Sequence, residues 1–289
     1  MTATDQGEAV LAHAVAAYAE ALGPRLVAGY ALGSLAHGGF SPLVSDVDLG
    51  LILADPPRAS DRLTIRRVAG GVKAGGPVLH ERLSVFWGTP STLAGQARGG
   101  RFPPLDRLDL LEYGRLLTGR DARDRVARPG RAELLVAGAE FALGRLGGPR
   151  SLPDRLRGWS RGRPGRDHTL DEIRAPALLV SRGPQRLTKI VLFPVRFLFT
   201  AETGRVGTNG LAAEHYLARA DAPAADLVTE ALGWRQRPPA DHEAAAALVG
   251  RELIPLYLQF IDDHVARLAA VGRDDLAGRF RRWQARLRA

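Results

Sequence analysis

Residues 32–49 read LGSLAHGGFSPLVSDVDL and carry the most informative pattern in this chain of 289 residues. They follow an apolar run at 25–32 (RLVAGYAL) and end inside a second apolar run at 46–53 (DVDLGLIL). Runs of this length, rich in Val, Ile and Leu and bounded by Gly, Ser and Asp, predict β-strands. A Gly-Ser pair therefore ends one predicted strand, and an Asp-x-Asp pair begins the next after eleven intervening residues.

The Gly-Ser pair, Gly33 and Ser34, suits a turn that holds phosphate. Gly33 has no Cβ, so a phosphate oxygen is able to come close to its backbone. Ser34 offers a hydroxyl and a backbone N–H as donors, and a short helix starting there would add a partial positive charge. Ser45, which directly precedes the acidic pair, is a further candidate contact to the nucleotide.

The acidic pair, Asp46 and Asp48, predicts a metal site. Side chains at positions i and i+2 of a strand lie on the same face of the sheet, and two carboxylates on one face are suited to Mg²⁺. Ions held in this way stabilise the attacking and leaving oxygens of an in-line phosphoryl displacement. Asp-x-Asp alone is common in solvated turns and helix caps. Between two predicted strands, with Gly-Ser before it, the pattern is more specific.

Together these residues resemble the signature of the nucleotidyltransferase superfamily, in which an apolar-Gly-Ser segment is followed by alternating Asp and apolar residues. The resemblance implies a small mixed sheet flanked by helices. It also implies a Gly-Ser turn that contacts the triphosphate of ATP or another nucleoside triphosphate, and aspartates that bind Mg²⁺. The matching residues are Leu32, Gly33, Ser34, Asp46, Val47, Asp48 and Leu49.

A weaker resemblance extends over most of the chain. Residues 200–216 (TAETGRVGTNGLAAEHY) are similar to a segment of the helical domain of bacterial aminoglycoside adenylyltransferases of the streptomycin/spectinomycin type. Residues 105–121 (LDRLDLLEYGRLLTGRD) look like the interdomain helix of those enzymes. This resemblance implies transfer of a nucleoside monophosphate, AMP from ATP, to a hydroxyl of a small molecule such as an aminoglycoside-like antibiotic or a metabolite.

Two positions depart from the pattern of that family. Its members carry a third carboxylate, a base or metal ligand, on a later strand, and Ser84 stands at that place here. The nearest acid is Glu81, which would serve if the strand begins earlier or bulges; its alternative role is that of a surface residue at the strand edge. Asn209 replaces a lysine that contacts the triphosphate, so Lys189 or a nearby arginine is the candidate substitute.

Predicted strands lie in the first third of the chain and predicted helices fill the rest, which indicates an α+β protein. We expect a nucleotidyltransferase sheet domain over residues 1–125 and an all-α, substrate-binding domain over residues 126–289. Residues 147–165, rich in Arg, Gly and Pro, are interpreted as an exposed connection. The other predicted elements are a strand at 83–87 and helices at 8–22, 60–73, 105–117, 132–146, 241–271 and from 274 onward, with residues 175–289 wholly helical.

Composition excludes several classes of site. The chain has no cysteine, so disulfides, zinc-thiolate sites and cysteine nucleophiles are ruled out. No secretory signal is visible at the N-terminus and no apolar run is long enough to span a bilayer, so we expect a cytoplasmic protein without a membrane partner. The formal charge of +9 comes mostly from arginine. It fits GC-rich codon usage and permits an anionic partner; nucleic acid is possible but not favoured.

The charge of the C-terminal part bears on the acceptor. Residues 131–289 hold 25 Lys and Arg against 18 Asp and Glu, a net charge of +7. This disfavours a strongly cationic acceptor, unless the acidic pairs at 171–172 or 262–263 counter it locally. Two other functions stay open: a catalytically altered nucleotide- or RNA-binding regulatory protein on the same fold, and AMP transfer to a protein or RNA.

Overall fold

The computed structural model describes residues 2–147 and 168–289, which divide into two compact units, Met1–Gly130 and Arg131–Ala289. Within the described residues, strands occur only in the first unit and the second unit is helical. The predicted α+β class is therefore confirmed. Most of the predicted exposed connection at 147–165 lies outside the described residues.

The first unit contains a four-stranded sheet and the helices that cover it. Thr2 caps the first helix, since its hydroxyl accepts the N–H of Asp5 at 3.2 Å. The elements are α1 (Ala3–Leu22), β1 (Leu26–Leu32), α2 (Ser34–His37), β2 (Val47–Leu53), α3 (Ala59–Ala74), α4 (Val78–Glu81), β3 (Leu83–Gly88), α5 (Pro90–Leu93), α6 (Pro104–Tyr113) and β4 (Arg115–Gly119).

The sheet has the strand order β3-β2-β1-β4. β1 runs antiparallel to both of its neighbours, whereas β2 and β3 are parallel and are joined through α3 and α4. β1 and β2 are therefore adjacent in the sheet, and the connection between them starts at the Gly-Ser turn. Leu32 at the end of β1 pairs with Asp48 near the start of β2. The Gly-Ser turn and the acidic pair therefore meet at the same end of these two central strands.

Each face of this sheet packs against a separate apolar core. One core joins α1 and α3 to sheet residues such as Leu49. The other joins α6, through Leu110, to Leu32 and Ile52. Because side chains alternate along a strand, Asp48 projects to the same face as Ile52, which is the face that packs with α6.

One boundary differs from the sequence prediction in a way that matters for the sheet. α6 ends at Tyr113 instead of continuing to residue 117, and Arg115–Gly119 form the edge strand β4, which the sequence analysis missed. Gly114 ends the helix, and its N–H donates to the carbonyls of Asp109 and Leu110 at 3.1 Å. The next residues then pair with the open edge of β1, a tertiary partner that local helical spacing does not reveal.

The start of α3 also differs slightly. The helix begins at Ala59, and Arg58 holds the capping position that the sequence prediction gave to Ser60. Asp61 closes the first turn, because its carboxylate accepts the N–H of Arg58 at 2.8 Å. The same buried carboxylate forms an ion pair with Arg25, the residue before β1, at 2.6 Å, so the start of the helix is tied to the start of that strand.

The second unit is a set of packed helices. Tyr257, Phe260, Phe280 and Trp283 form its aromatic centre, and the Tyr257 hydroxyl donates to the carbonyl of Ile190 at 2.9 Å. Their burial removes a large apolar area from water. The helices are α7 (Arg131–Arg145), α8 (His168–Arg174), α9 (Pro176–Ser181), α10 (Pro184–Thr203), α11 (Asn209–Leu217), α12 (Ala225–Trp234), α13 (His242–Ala270) and α14 (Asp274–Arg288).

α13 is long and apolar enough, by length and composition, to cross a membrane. Its apolar residues Leu253, Leu256 and Ile261 are fully buried in the second unit. Charged residues such as Asp263 and Arg267 interrupt the same helix and pair with each other at 2.8 Å. The core helix of a folded helical unit accounts for these properties.

Candidate active site

The Gly-Ser turn has a backbone that requires glycine. Gly33 has φ 60° and ψ −148°, a conformation that residues with a side chain rarely adopt. A Cβ added to Gly33 would also lie 2.4 Å from the Oδ2 atom of Asp48, closer than any real contact. Glycine therefore stands where both the backbone angle and the neighbouring carboxylate disfavour a side chain.

Asp48 is held against this turn by the sheet. Its cross-strand partner is Leu32, the residue immediately before Gly33. Asp46 lies just before β2, and both aspartates are partly exposed. The structure therefore brings Gly33 and Asp48 into contact, with Ser34 next to the contact and Asp46 two residues from it along the chain.

Ser45 contributes to the loop that leads into the acidic pair. It is buried, and its hydroxyl oxygen accepts the N–H of Ser41 at 3.0 Å. The Arg82 guanidinium donates to the carbonyl of Pro42 at 2.8 Å and so ties this loop to the residue before β3. A contact between Ser45 and a nucleotide stays a prediction; its observed hydrogen bond stabilises the approach to Asp46.

The third carboxylate of the family pattern is missing from β3. Ser84 is the register partner of Asp48 across the parallel β2–β3 pair, so a hydroxyl stands beside that aspartate. Glu81 lies in the last turn of α4, exposed to solvent, and β3 starts only at Leu83. Within residues 2–147 and 168–289, no group of three or more His, Asp or Glu side chains is arranged to hold a metal ion.

Asp109 is a residue of this site that the sequence analysis missed. It lies on α6, it is buried, and its Oδ2 atom accepts the backbone N–H of Gly33 at 2.6 Å. Asp109 lies four residues after Leu105, so the two side chains are on the same, apolar face of the helix. An acid at an apolar helical position was the signal in the sequence that could have revealed Asp109, since a buried acid needs a partner.

Two carboxylates therefore flank the same glycine. Asp109 contacts the N–H of Gly33 and Asp48 lies beside its Cα. With ordinary backbone dimensions, these contacts place the two Oδ2 atoms no more than about 7.5 Å apart. Since two negative charges at this distance repel each other, the site is suited to a cation or to hydrogen-bond donors.

Tyr30 lies on the same face of the sheet as Leu32 and contributes no charge there. Burial raises the pKa of its hydroxyl to about 12. The hydroxyl donates to Asp121 at 2.9 Å and accepts the N–H of Ala122 at 2.8 Å. These bonds fasten the segment after β4 to the middle of β1, away from the Gly-Ser turn.

The other predicted nucleotide contact, Lys189, belongs to the second unit. It is half-buried on α10. Asn209, where the family has a lysine, is the first residue of α11, whose cap is formed by the Thr208 hydroxyl accepting the N–H of Leu211 at 3.3 Å. Gly204, with φ 71° and ψ 16°, ends α10 between them.

Comparison with known proteins places the fold. No protein-family model and no curated protein matches the chain. Among solved structures, spectinomycin adenyltransferase AAD(9) from Enterococcus faecialis, solved with ATP and spectinomycin, is similar over 85% of this chain and 98% of its own, with a TM-score of 0.51 and 10% identity. At this identity the similarity shows the fold alone, which is nucleotidyltransferase-like.

Proposed function

We propose that this chain transfers a nucleoside monophosphate, AMP from ATP, to a hydroxyl of a small molecule. The observation that supports this most directly is the contact between Gly33 and the carboxylate of Asp48, where β1 ends and β2 begins. It joins a phosphate-type turn to an acidic pair on a nucleotidyltransferase-like fold. The similar adenyltransferase, solved with ATP and spectinomycin, supports a nucleotide and a small-molecule acceptor as the two ligands.

The residues present fit a magnesium ion. Asp46 and Asp48 supply two carboxylates, and Mg²⁺ takes one or two carboxylates from a protein while phosphate oxygens and water complete its shell. Because Gly33 has no Cβ, the Asp48 carboxylate lies directly against the Gly-Ser turn, where a Cβ would come within 2.4 Å of its Oδ2 atom. When bound, the ion would neutralise charge on the triphosphate during transfer.

The remaining residues position the reactants. Gly33 and Ser34 hold the β- and γ-phosphates, with Ser45 and Lys189 as further contacts to the nucleotide. The acceptor oxygen bonds to the α-phosphorus, the bond from that phosphorus to the bridging oxygen breaks, and pyrophosphate leaves with the electron pair. The rate gain comes mainly from positioning and charge neutralisation.

The hydroxyl proton of the acceptor passes to a base, for which Glu81 is our candidate. Its neighbour Arg82 accepts the N–H of Val47 through its carbonyl at 3.2 Å, so this segment runs alongside the acidic pair. A residue of the second unit is the alternative base.

The second unit, which we propose binds the acceptor, favours a neutral or anionic compound. One member of each acidic pair is already compensated by arginine. Glu172 is buried and pairs with Arg186 at 2.7 Å, and Asp263 pairs with Arg267 at 2.8 Å. Because arginine neutralises one carboxylate of each pair, we infer that these clusters do not override the net positive charge of the unit.

A nucleotide- or RNA-binding regulatory protein on the same fold is the second candidate. The presence of Ser84 beside Asp48 favours it, because the acid expected at this position is absent. AMP transfer to a protein or RNA would use the same turn and aspartates with a larger acceptor. In either case the nucleotide would still bind through Gly33, Ser34 and the metal.

Calorimetric titration of ATP with Mg²⁺ tests the nucleotide site, and pyrophosphate release tests transfer. We would follow release with neutral polyols, sugar phosphates, spectinomycin and polycationic aminoglycosides as acceptors. The proposal expects metal-dependent binding and release with at least one acceptor, and Glu81→Gln should slow release by about 100-fold without changing the Kd for ATP. Binding without release favours the regulatory candidate, and absence of binding contradicts both.

A further inference from the structure

The contact between Asp109 and Gly33 bears on the shape of the Gly-Ser turn, and what we infer from it rests on the proposed function. Gly33 adopts a backbone conformation that costs free energy even for glycine, because folding removes its many alternatives. The carboxylate of Asp109 reaches its N–H at 2.6 Å from a different segment, 76 residues further along the chain. A charge-assisted hydrogen bond of this length is among the stronger contacts in a protein.

Helix α6 contacts residues 33–37, which comprise Gly33 and α2, at both ends of that segment. At one end Asp109 accepts the N–H of Gly33. At the other end the rings of Tyr113 and His37 meet edge to face, with centroids 5.5 Å apart. Between them, Leu110 packs into the same apolar core as Leu32. The helix therefore contacts the first and the last residue of the segment 33–37.

Asp109 acts on the turn through its Oδ2 atom. Its observed contact is with the backbone of the turn, which leaves the hydroxyl and N–H of Ser34 on the next residue to serve the nucleotide.

We propose that Asp109 is a positioning residue for the triphosphate turn: it fixes the N–H of Gly33 and so holds Ser34 in the orientation that binds the β- and γ-phosphates. The adenosine part of the nucleotide does not contact this turn in the proposed function. Loss of Asp109 should therefore weaken binding of the triphosphate and leave the contribution of adenosine unchanged.

The test compares Asp109→Ala and Asp109→Asn with wild type and with Asp124→Asn, an exposed control in the same unit. Calorimetry gives the Kd for MgATP and for adenosine, and NMR gives the exchange rate of the Gly33 amide proton. For Asp109→Ala we expect a Kd for MgATP at least about 10-fold weaker and exchange at least about 10-fold faster, with the Kd for adenosine unchanged. Asp109→Asn keeps an acceptor oxygen and should stay within about 3-fold of wild type.

Unchanged exchange at Gly33 in Asp109→Ala would overturn the inference, and so would faster exchange with an unchanged Kd for MgATP. Equal weakening of MgATP and adenosine would also overturn it, since that result indicates general damage to the fold. If the alanine variant does not fold, Asp109→Glu, which displaces the carboxylate by one methylene, takes its place with the same expected direction. A wild type that binds no MgATP would instead reject the proposed function itself.

Discussion

The Gly-Ser turn and the start of β3 lie on opposite sides of β2, and they differ in how well their residues match the nucleotidyltransferase pattern. On one side, Gly33 touches Asp48 and is fixed by Asp109. On the other side, Ser84 stands beside Asp48 where the family pattern has an acid. In our proposal the first side binds the nucleotide, while the second side lacks the carboxylate that the resemblance leads us to expect. Nucleotide binding and transfer are therefore predicted to be separable, and each side is open to its own tests.

The largest expected effect is on the binding side. Asp48→Asn removes a charged metal ligand and should weaken metal-dependent ATP binding by at least about 100-fold. Calorimetric titration with and without Mg²⁺ measures this change. The control Asp124→Asn removes a charge from an exposed turn of the same unit. Equal Kd values for both variants would contradict the assignment of Asp48.

Restoring the missing acid tests the other side of β2. Ser84→Glu places a carboxylate next to Asp48, and we expect pyrophosphate release to rise by roughly 10- to 100-fold if the absent acid limits transfer. Ser84→Gln has nearly the same size without the charge and should leave release unchanged. A similar rate for the two variants would show that the residue at β3 does not limit the reaction.

A smaller effect is expected from the turn itself. Gly33→Ala introduces both an unfavourable φ and a clash with Asp48. We expect a loss of about 1–3 kcal/mol in the free energy of unfolding and about 10-fold weaker ATP binding. Gly38→Ala is the matched control, because Gly38 has φ 90° and no atom within 4 Å of an added Cβ. Both variants share the strain of a positive φ, and only Gly33→Ala has the clash with Asp48. Comparing their denaturant melts and their Kd values for ATP from calorimetry therefore separates the two effects. If Gly38→Ala weakened ATP binding as much, the contact with Asp48 would not matter.

The smallest expected effect comes from the second unit. Lys189→Gln should weaken ATP binding by up to about 10-fold, the loss of one charge-assisted contact to phosphate. Lys73→Gln, which changes the only other lysine of the chain, serves as the control. If calorimetry gave the same Kd for ATP with both variants, Lys189 would not contact the triphosphate, and a nearby arginine would be the candidate instead.

Prediction from sequence succeeded best where the pattern is local. Two strands separated by a Gly-Ser turn were expected from residues 25–53, and β1 and β2 lie there. The helical second unit was also expected, because its apolar residues recur at helical spacing. β4 was missed because its five residues form a strand only by pairing with β1, and Leu116 and Leu117 continue the apolar spacing of α6.

The candidate site shows the same division. Gly33, Ser34, Asp46 and Asp48 were predicted together from one motif, since each has a chemical reason to stand at that spacing. Asp109 carries no motif, and nothing in its neighbourhood of the sequence relates it to a glycine 76 residues earlier. The register between β2 and β3 places Ser84 beside Asp48, and Glu81 lies in the helix before that strand. Glu81 stays a prediction as the base.

Local sequence was therefore enough to specify the α+β class and the position of the Gly-Ser turn, because alternation along strands, helical spacing and the freedom of glycine act over a few residues. The contacts that complete the site were decided only when the chain folded. The partner of Gly33 on α6, the neighbour of Asp48 on β3 and the edge strand β4 all depend on residues distant in sequence. Their contacts arise from packing and strand register, which local spacing does not contain.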